Sequence, residues 1–244
     1  MSPAVVEATP GTTGPAAGGN ATTTTPAPAP PIPGAATPAT APLTPAAPGT
    51  YHYDTSGTSR FGNVASPFPA VTTLIVDPAA GTTQHATRDL RDASRNGAVL
   101  ETVLDYRPDG IALVSLRVTA TFLLFTEVEE LHPPTPVLLL PTGFREGLHR
   151  DVDLPAQAGT AHLTIDVLRQ EQLTIGGQSV TTNRVHLVAS IPGQLNGRLD
   201  LTLWVASAYR LWVREHSVGE ATGPDGSSLY HSEYDATLQR LTPA

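Results

Sequence analysis

From Tyr51 to the C-terminus, apolar and polar residues alternate with a period of two, which is the repeat of a half-buried β-strand. In Ala161–Thr174, for example, Leu163, Ile165 and Val167 recur at odd-numbered positions. Reversal signals rich in glycine and proline, such as RPDG at 107–110, separate the alternating segments. No helix-length segment stands between the strands, so the pattern excludes parallel crossovers and predicts an antiparallel meander.

The alternation predicts about eleven strands, several of them longer than the usual five or six residues. They are Thr50–Thr55, Val71–Asp77, Thr82–Leu90, Ala98–Tyr106, Ile111–Phe125, Arg150–Leu154, Ala161–Thr174, Ser179–Ile191, Arg198–Val205, Tyr209–Val218 and Leu229–Leu241. A sheet of this size must twist and curl, so we expect an all-β domain shaped as a half-barrel or open barrel. The only helix we expect is a short one at Thr126–Leu131, ended by Pro133 and Pro134.

Parity predicts the lengths of two hairpin loops. Leu163 and Ile165 in one strand and Val185 in the next are all odd-numbered. They therefore share a face of the sheet only if the loop between the strands contains an odd number of residues. We therefore predict a three-residue loop at Gly176–Gln178. The same argument predicts a three-residue loop at Ala206–Ala208 in the next hairpin.

One face of the curled sheet is expected to be apolar and concave, and to enclose either a packed core or a ligand cavity. The candidate ligand-contacting residues of this concave face are Val114, Leu116, Val118, Phe122, Leu163, Ile165, Val167, Val185, Leu187, Leu203 and Leu211.

The segment Leu201–Ser217 contains both tryptophans of the chain. The predicted odd loop puts Trp204, Trp212 and Arg210 on the face opposite the leucines. Two interpretations follow: the indoles pack under a loop with Arg210 stacked on one of them, or they form a surface platform or cavity mouth where a partner docks.

Composition changes sharply near residue 50. Residues 1–48 are almost entirely Ala, Pro, Thr and Gly with Glu7 as the one charged residue, which predicts a disordered, extended linker. Residues 49–244 are expected to form a single β domain. The net charge of −8 argues against a nucleic-acid partner, and the absence of cysteine excludes disulfides and thiolate chemistry.

No motif for catalysis, metal binding or a cofactor is present. The eight histidines are scattered singly, without the H-x-H or H-E-x-x-H spacing of metal sites, and are interpreted as half-exposed strand residues. The acidic pairs Glu129/Glu130 and Asp151/Asp153 are interpreted as solvated surface. We therefore expect no enzyme, no metal and no cofactor, with a catalytic site assembled only in space as the alternative.

Three stretches carry a family resemblance: RQEQLTIGGQSVTTNRVHLVASIPG, LTLWVASAYRLWVREHS and SLYHSEYDATLQRL. A loop that reads PVLLLPTGFREGLHR precedes them. Together they resemble exported bacterial half-barrel proteins such as LolA-type lipoprotein carriers and the LppX and LprG lipoproteins of actinobacteria. The resemblance implies an eleven-stranded half-barrel whose apolar concave face holds acyl chains. The helices that close the barrel mouth in that family have no counterpart here.

These observations favour a non-enzymatic binding module of the cell envelope that takes a lipid or another apolar molecule. A protein-interaction or envelope-sensor domain with a filled interior is the alternative. The Pro/Thr-rich leader favours an extracytoplasmic or secreted location, although no export signal is visible and a cytoplasmic location stays open. Membrane association would require an anchor that this chain does not contain.

Overall fold

The alternating segments form fourteen antiparallel strands in a computed structural model that describes residues 43–122, 125–193 and 196–244. The strands are β1 (Gly49–Phe61), β2 (Val64–Pro67), β3 (Val71–Val76), β4 (Thr83–Arg91), β5 (Gly97–Arg107), β6 (Gly110–Phe122), β7 (Phe125–Leu131), β8 (Val137–Pro141), β9 (His149–Ala156), β10 (Gly159–Ile175), β11 (Gln178–Ile191), β12 (Asn196–Ala206), β13 (Leu211–Thr222) and β14 (Ser228–Leu238). The prediction of an all-β antiparallel fold is confirmed. The linker predicted at 1–48 lies mostly outside the described residues.

Twelve strands follow one another in a single barrel-like sheet, in the order β7-β6-β5-β4-β3-β1-β14-β13-β12-β11-β10-β9. Chain neighbours are sheet neighbours almost throughout, and β14 returns to pair with β1. The sheet is nearly closed, because the β7 carboxylate Glu129 accepts a hydrogen bond from the backbone of Gln157, beyond β9. Leu131 of β7 also packs with Val152 and Leu154 of β9.

The β10–β11 hairpin differs from the predicted three-residue loop. Ile175 pairs with Gln178, so the turn contains only Gly176 and Gly177, with φ of 54° and 81°. Two successive residues at positive φ make a type I′ turn, which suits the twist of the strands and favours glycine. A β-bulge at Leu168 supplies the odd residue instead, because the register shifts between 167 and 169.

The bulge keeps the predicted face of this hairpin intact. Val167 pairs with Val185, and Ile165 pairs with Leu187. These residues therefore share a face, as the parity argument required.

The β12–β13 hairpin also departs from its predicted loop. Ala206 pairs with Leu211, so the loop has four residues, and Arg210 adopts φ of 57° within it. A bulge at Val213 changes the parity again, because Val205 pairs with Trp212 while Trp204 pairs with Arg214. The prediction that both tryptophans share a face is therefore wrong.

The short helix predicted at Thr126–Leu131 is also wrong. Residues Phe125–Leu131 form strand β7, which pairs with β6 from Phe122↔Phe125 to Leu116↔Leu131. The predicted strand Ile111–Phe125 is accordingly shorter, because β6 ends at Phe122 and Phe125 belongs to β7. After the prolines, β8 pairs with the other half of β6, so β7 and β8 share one edge.

The two ends of the barrel differ. One end is formed by the first residues of β1 and is covered by residues 43–48, where the side-chain amide of Gln84 bonds both the N–H and the carbonyl of Ala46, at 3.0 and 2.8 Å. Ala46 and Tyr51 are buried in the main core cluster there. The opposite end, near Phe122 and Tyr230, contains the cavity described below.

Candidate ligand cavity

A cavity of about 160 Å³ lies inside the barrel, at the end away from residues 43–48. Its lining comes from both halves of the sheet: Phe68, Leu90, Gly97, Ala98, Leu100, Val118, Ala120, Phe122, Glu127, Glu129, Ile191, Pro192, Gly193, Gly197, Arg198, Leu199, Ser217, Gly219, Glu220, Ala221, Tyr230, Ser232 and Tyr234. Most of these groups are apolar, and several are glycine or alanine. Small residues facing one another across the barrel leave the space unfilled.

Aromatic rings form part of the cavity wall. Phe122 stacks on Phe61 at a centroid separation of 5.8 Å and meets Tyr230 edge-on at 4.8 Å. Phe68 contacts Tyr234 at 4.8 Å. Such contacts are worth about 0.5–1.5 kcal/mol beyond the buried area, so this wall is firmly held.

A buried polar cluster lies next to the cavity. Arg88 and Glu215 are an ion pair, with Nη2 and Oε2 3.4 Å apart and side chains only 4% and 5% exposed. The Tyr234 hydroxyl donates to Glu215 Oε1 at 2.6 Å, and the Arg88 guanidinium lies 4.3 Å from the centre of the Tyr53 ring. The cluster thus joins β4 to β13, β14 and β1 through the interior.

Burial controls the ionisation of the two tyrosines in this cluster. Desolvation raises the pKa of Tyr53 and, together with the Glu215 carboxylate, raises the pKa of Tyr234 well above 10. Both phenols are therefore neutral and act as hydrogen-bond donors at physiological pH. Tyr53 uses its hydroxyl to bind the Trp212 carbonyl at 2.8 Å.

Several polar atoms in this region have no hydrogen-bond partner among the described residues. They include Nε and Nη1 of Arg88. Ser217, which lines the cavity, is 1% exposed and hydrogen-bonds the Tyr234 side chain. Buried donors and acceptors are normally bonded to protein or to water. The Arg88 guanidinium is thus only partly satisfied by its contact with Glu215.

Carboxylates outnumber guanidinium groups in the lining. Glu127, Glu129 and Glu220 face a single arginine, Arg198. Glu129 is buried, contrary to its interpretation as solvated surface, because its carboxylate bonds the backbone of Gln157 across the gap between β7 and β9. The cavity lining is therefore negatively charged overall.

The predicted concave-face residues divide between the cavity and a packed half of the barrel. Only Val118 and Phe122 of that set line the cavity. Ile165, Val167 and Val185 are each 2% exposed and pack against residues of β8 and the loop after it. The members that lie elsewhere in packed clusters or on the sheet are Val114, Leu116, Leu163, Leu187, Leu203 and Leu211.

The half of the barrel around Ile165 is filled by its own chain. Leu139, Leu140, Phe144 and Leu148 occupy the space over Ile165. Strand β8, which is part of the barrel wall beside β6, and the loop after it were not predicted to be structured, and their side chains fill this half.

Trp204 and Trp212 do not form the shared platform proposed from the sequence. Trp204 is 7% exposed, donates its indole N–H to Glu171 at 3.1 Å and lies between Arg184 and Arg214, which are 5.2 and 4.8 Å from its ring. Trp212 pairs with Val205, is partly buried and packs against the main core cluster. Trp204 is thus packed, as the first interpretation had it, but the arginines over its ring are Arg184 and Arg214.

Arg210 takes neither of the two proposed roles. It lies in the β12–β13 loop and donates a hydrogen bond to the Ser207 carbonyl. It is not one of the two arginines over the Trp204 ring.

Seven of the eight histidines lie beside a carboxylate on the sheet surface. They are His85, His132, His149, His162, His186, His216 and His231. His149 is the most constrained, because it bonds both Asp166 at 2.7 Å and Asp151 at 3.1 Å, and these bonds raise its pKa. In the part of the chain that the structure describes, no three potential ligands are grouped so as to hold a metal ion.

The main residues that sequence reasoning missed are Arg88 and Glu215. Both occupy positions where the alternation predicts an inward side chain: Arg88 falls two residues before Leu90, and Glu215 two residues after Val213. The signal that identifies such a site is a charged residue at one of the alternating strand positions that are otherwise occupied by apolar residues.

Comparison with protein-family models, with curated proteins and with solved structures returned no match for this chain. Within the described residues, no helix is long and apolar enough to cross a membrane.

Proposed function

We propose that this domain is a non-enzymatic binding module whose cavity takes a small apolar molecule. The observation that carries the proposal is a cavity of about 160 Å³ with mainly apolar walls, inside a barrel whose other half is filled. Pockets of this kind, with a few polar groups, are the usual form of small-molecule sites. The chain keeps the space open with glycine and alanine instead of filling it.

The size of the cavity limits the ligand. An apolar cavity of about 150 Å³ holds one benzene molecule or a xenon atom. The present cavity is similar, so its ligand is a single small ring or a short aliphatic chain. A lipid with two long acyl chains would also need the space that the side chains of Leu139 and Phe144 fill in the other half of the barrel.

Burial of the ligand supplies the binding energy. A six-carbon ligand gains about 0.8 kcal/mol for each buried methylene-sized group, or roughly 5 kcal/mol before the costs of association. Once those costs are subtracted, the expected dissociation constant is about 1 mM or higher. Tighter binding would require polar recognition as well.

A titration with benzene tests the proposal. Methyl NMR signals from Leu100, Val118 and Leu199 in the cavity wall are expected to shift in a saturable way. Ala120→Leu, which places three more carbons in the cavity, is expected to abolish the shifts while the protein stays folded. Ala208→Leu, in the exposed β12–β13 loop, is the matched control and should bind normally.

Absence of saturable shifts in the wild-type protein would contradict the proposal. It would favour the second candidate, a protein-interaction domain with a filled interior, which the packed cluster around Ile165 and Val185 supports.

As part of the same proposal, we place the domain in the cell envelope at the end of its Pro/Thr-rich leader. In support, the chain enters the sheet at residues 43–48, at the end opposite the cavity, so an attachment through the leader leaves the cavity free.

A further inference from the structure

Three arginines and one tryptophan form a row across the outer face of the sheet. Arg169 of β10 pairs directly with Arg184 of β11. Arg184 pairs with Trp204 of β12, which in turn pairs with Arg214 of β13. Direct cross-strand partners share a face, and the exposure of Arg169 and Arg214 shows that this face meets the solvent. These four residues are called the arginine row below.

The positive charges of the arginine row are not balanced. Arg169 and Arg184 place like charges directly opposite each other, an arrangement that destabilises a sheet. Of the described carboxylates, only Glu171 is paired with them, with its Oε1 2.6 Å from Arg169 Nε and 3.9 Å from Arg184 Nη1. The Arg214 guanidinium has no carboxylate partner among the described residues. Three guanidinium groups against one carboxylate leave two uncompensated positive charges, in a chain whose net charge is −8.

The side chains of the arginine row are held in place before any partner binds. Arg184 and Arg214 lie over the Trp204 ring, 5.2 and 4.8 Å from its centre, as cation–π contacts. Trp204 is itself fixed, because it is 7% exposed and donates its indole N–H to Glu171 at 3.1 Å. Side chains that are already ordered lose less entropy on binding than mobile surface arginines do.

The neighbouring row on the same face limits the shape of a partner. Towards the cavity end it consists of Asp166, His186, Thr202, His216 and Asp235. It contains two carboxylates and no arginine, and it lies only about 7 Å from the arginine row. A broad anionic surface, such as a bilayer of acidic lipids, would meet both rows and be repelled by the second. A narrow chain is able to follow the arginine row alone.

We propose that the arginine row docks a short, extended acidic segment of a partner polypeptide. From Arg169 to Arg214 the row spans three strand spacings, or about 14 Å, which is the length of about four extended residues. The planar guanidinium group matches the two oxygens of a carboxylate, so glutamate or aspartate side chains fit these positions. The inference goes beyond the proposed function, because the arginine row lies on the outside of the barrel and does not involve the cavity.

Fluorescence anisotropy of a labelled hexaglutamate peptide, titrated with the full chain at pH 7 and low ionic strength, tests the inference. Saturable binding that weakens as salt is added is expected. Arg214→Gln should weaken this binding about 5-fold, the effect of one partly exposed ion pair. Arg214→Lys, which keeps the charge without the planar fork, should give a smaller loss. Arg60→Gln is the matched control, because it removes the same charge from an exposed residue of β1 and should bind as the wild type does.

Arg169→Gln, at the other end of the row, gives a second test that does not touch the Trp204 ring. It should also weaken hexaglutamate binding, and an unchanged melting temperature serves as the folding check for each variant. The inference is overturned if hexaglutamate does not bind, or if Arg60→Gln weakens binding as much as Arg214→Gln does. Vesicles of phosphatidylglycerol that bind through Arg214 while hexaglutamate does not would overturn it in favour of a membrane surface. Benzene binding in the cavity is measured separately, so none of these outcomes decides the proposed function.

Discussion

Replacing Glu215 by glutamine is expected to cost more stability than almost any other single polar change in this domain. The side chain keeps its shape and still accepts from Tyr234, but the buried Arg88 loses its counter-charge. Both partners are about 95% buried, and breaking such a pair by removing one charge typically costs about 3–5 kcal/mol. For a domain with a total stability of about 5–15 kcal/mol, this is a large fraction.

Equilibrium unfolding in urea at pH 7 measures this cost. The expected result is a lower midpoint with an unchanged slope, since the surface exposed on unfolding is the same. Glu233→Gln, at the exposed residue directly before Tyr234, is the control and should stay within about 0.5 kcal/mol of wild type.

The double variant Arg88→Met/Glu215→Leu tests the reason for the cost. With both charges removed, most of the stability is expected to return, apart from about 1 kcal/mol for the lost acceptor of Tyr234. A loss below about 1 kcal/mol in Glu215→Gln would refute the reasoning, because it would mean that the pair is hydrated. A double variant as unstable as the sum of the single variants would refute it as well.

Three smaller tests address other parts of the molecule. Ile165→Ala, in the filled half of the barrel, is expected to lower the unfolding free energy by about 3 kcal/mol in urea titration, and a loss under 1 kcal/mol would mean that this half is loosely packed. Gly57→Ala should cost about 3 kcal/mol by the same assay, because the new Cβ would lie 2.2 Å from the Glu233 carbonyl. In the control Gly177→Ala the new Cβ meets no atom, so only about 1 kcal/mol is expected for its positive φ. Equal costs for the two variants would contradict this explanation. The hydrogen bond to Asp166 raises the pKa of His149 above 6.5, so the stabilising effect of this bond is full below pH 6.5 and is lost as the pH rises through the raised pKa. In an NMR titration, Asp166→Asn should return the pKa of His149 toward 6.5. An unchanged pKa would be inconsistent with the hydrogen bond.

The fold could be predicted from the sequence to a large extent because period-two alternation is a local signal. All eleven predicted strands have a counterpart, and the faces around Ile165 and Val185 are as predicted. The predicted loop lengths were wrong because a bulge shifts which residues share a face of the sheet, just as one extra loop residue does. At Leu168 the bulge preserved the predicted face, and at Val213 it separated the two tryptophans.

The missed strands β2, β7 and β8 are short and depend on their partners. Phe125–Leu131 contains three glutamates, which made a helix look suitable, yet pairing with β6 decides its conformation. Sheet propensity of this kind is set by tertiary context, which a single segment does not contain.

The candidate site was only partly predictable. Val118 and Phe122 were identified by alternation, but which part of a concave face is filled depends on the path of β8 and the loop after it. Arg88 and Glu215 could have been identified as charged residues at strand positions that are otherwise apolar. Predicting that they lie close together across the barrel requires the strand order.

Crystallography under xenon pressure compares the two halves of the barrel directly. One xenon site is expected between Leu100, Val118 and Leu199, and none among the side chains around Ile165. Xenon bound around Ile165, or no xenon at the first position, would contradict a barrel that is filled in one half and open to a small ligand in the other.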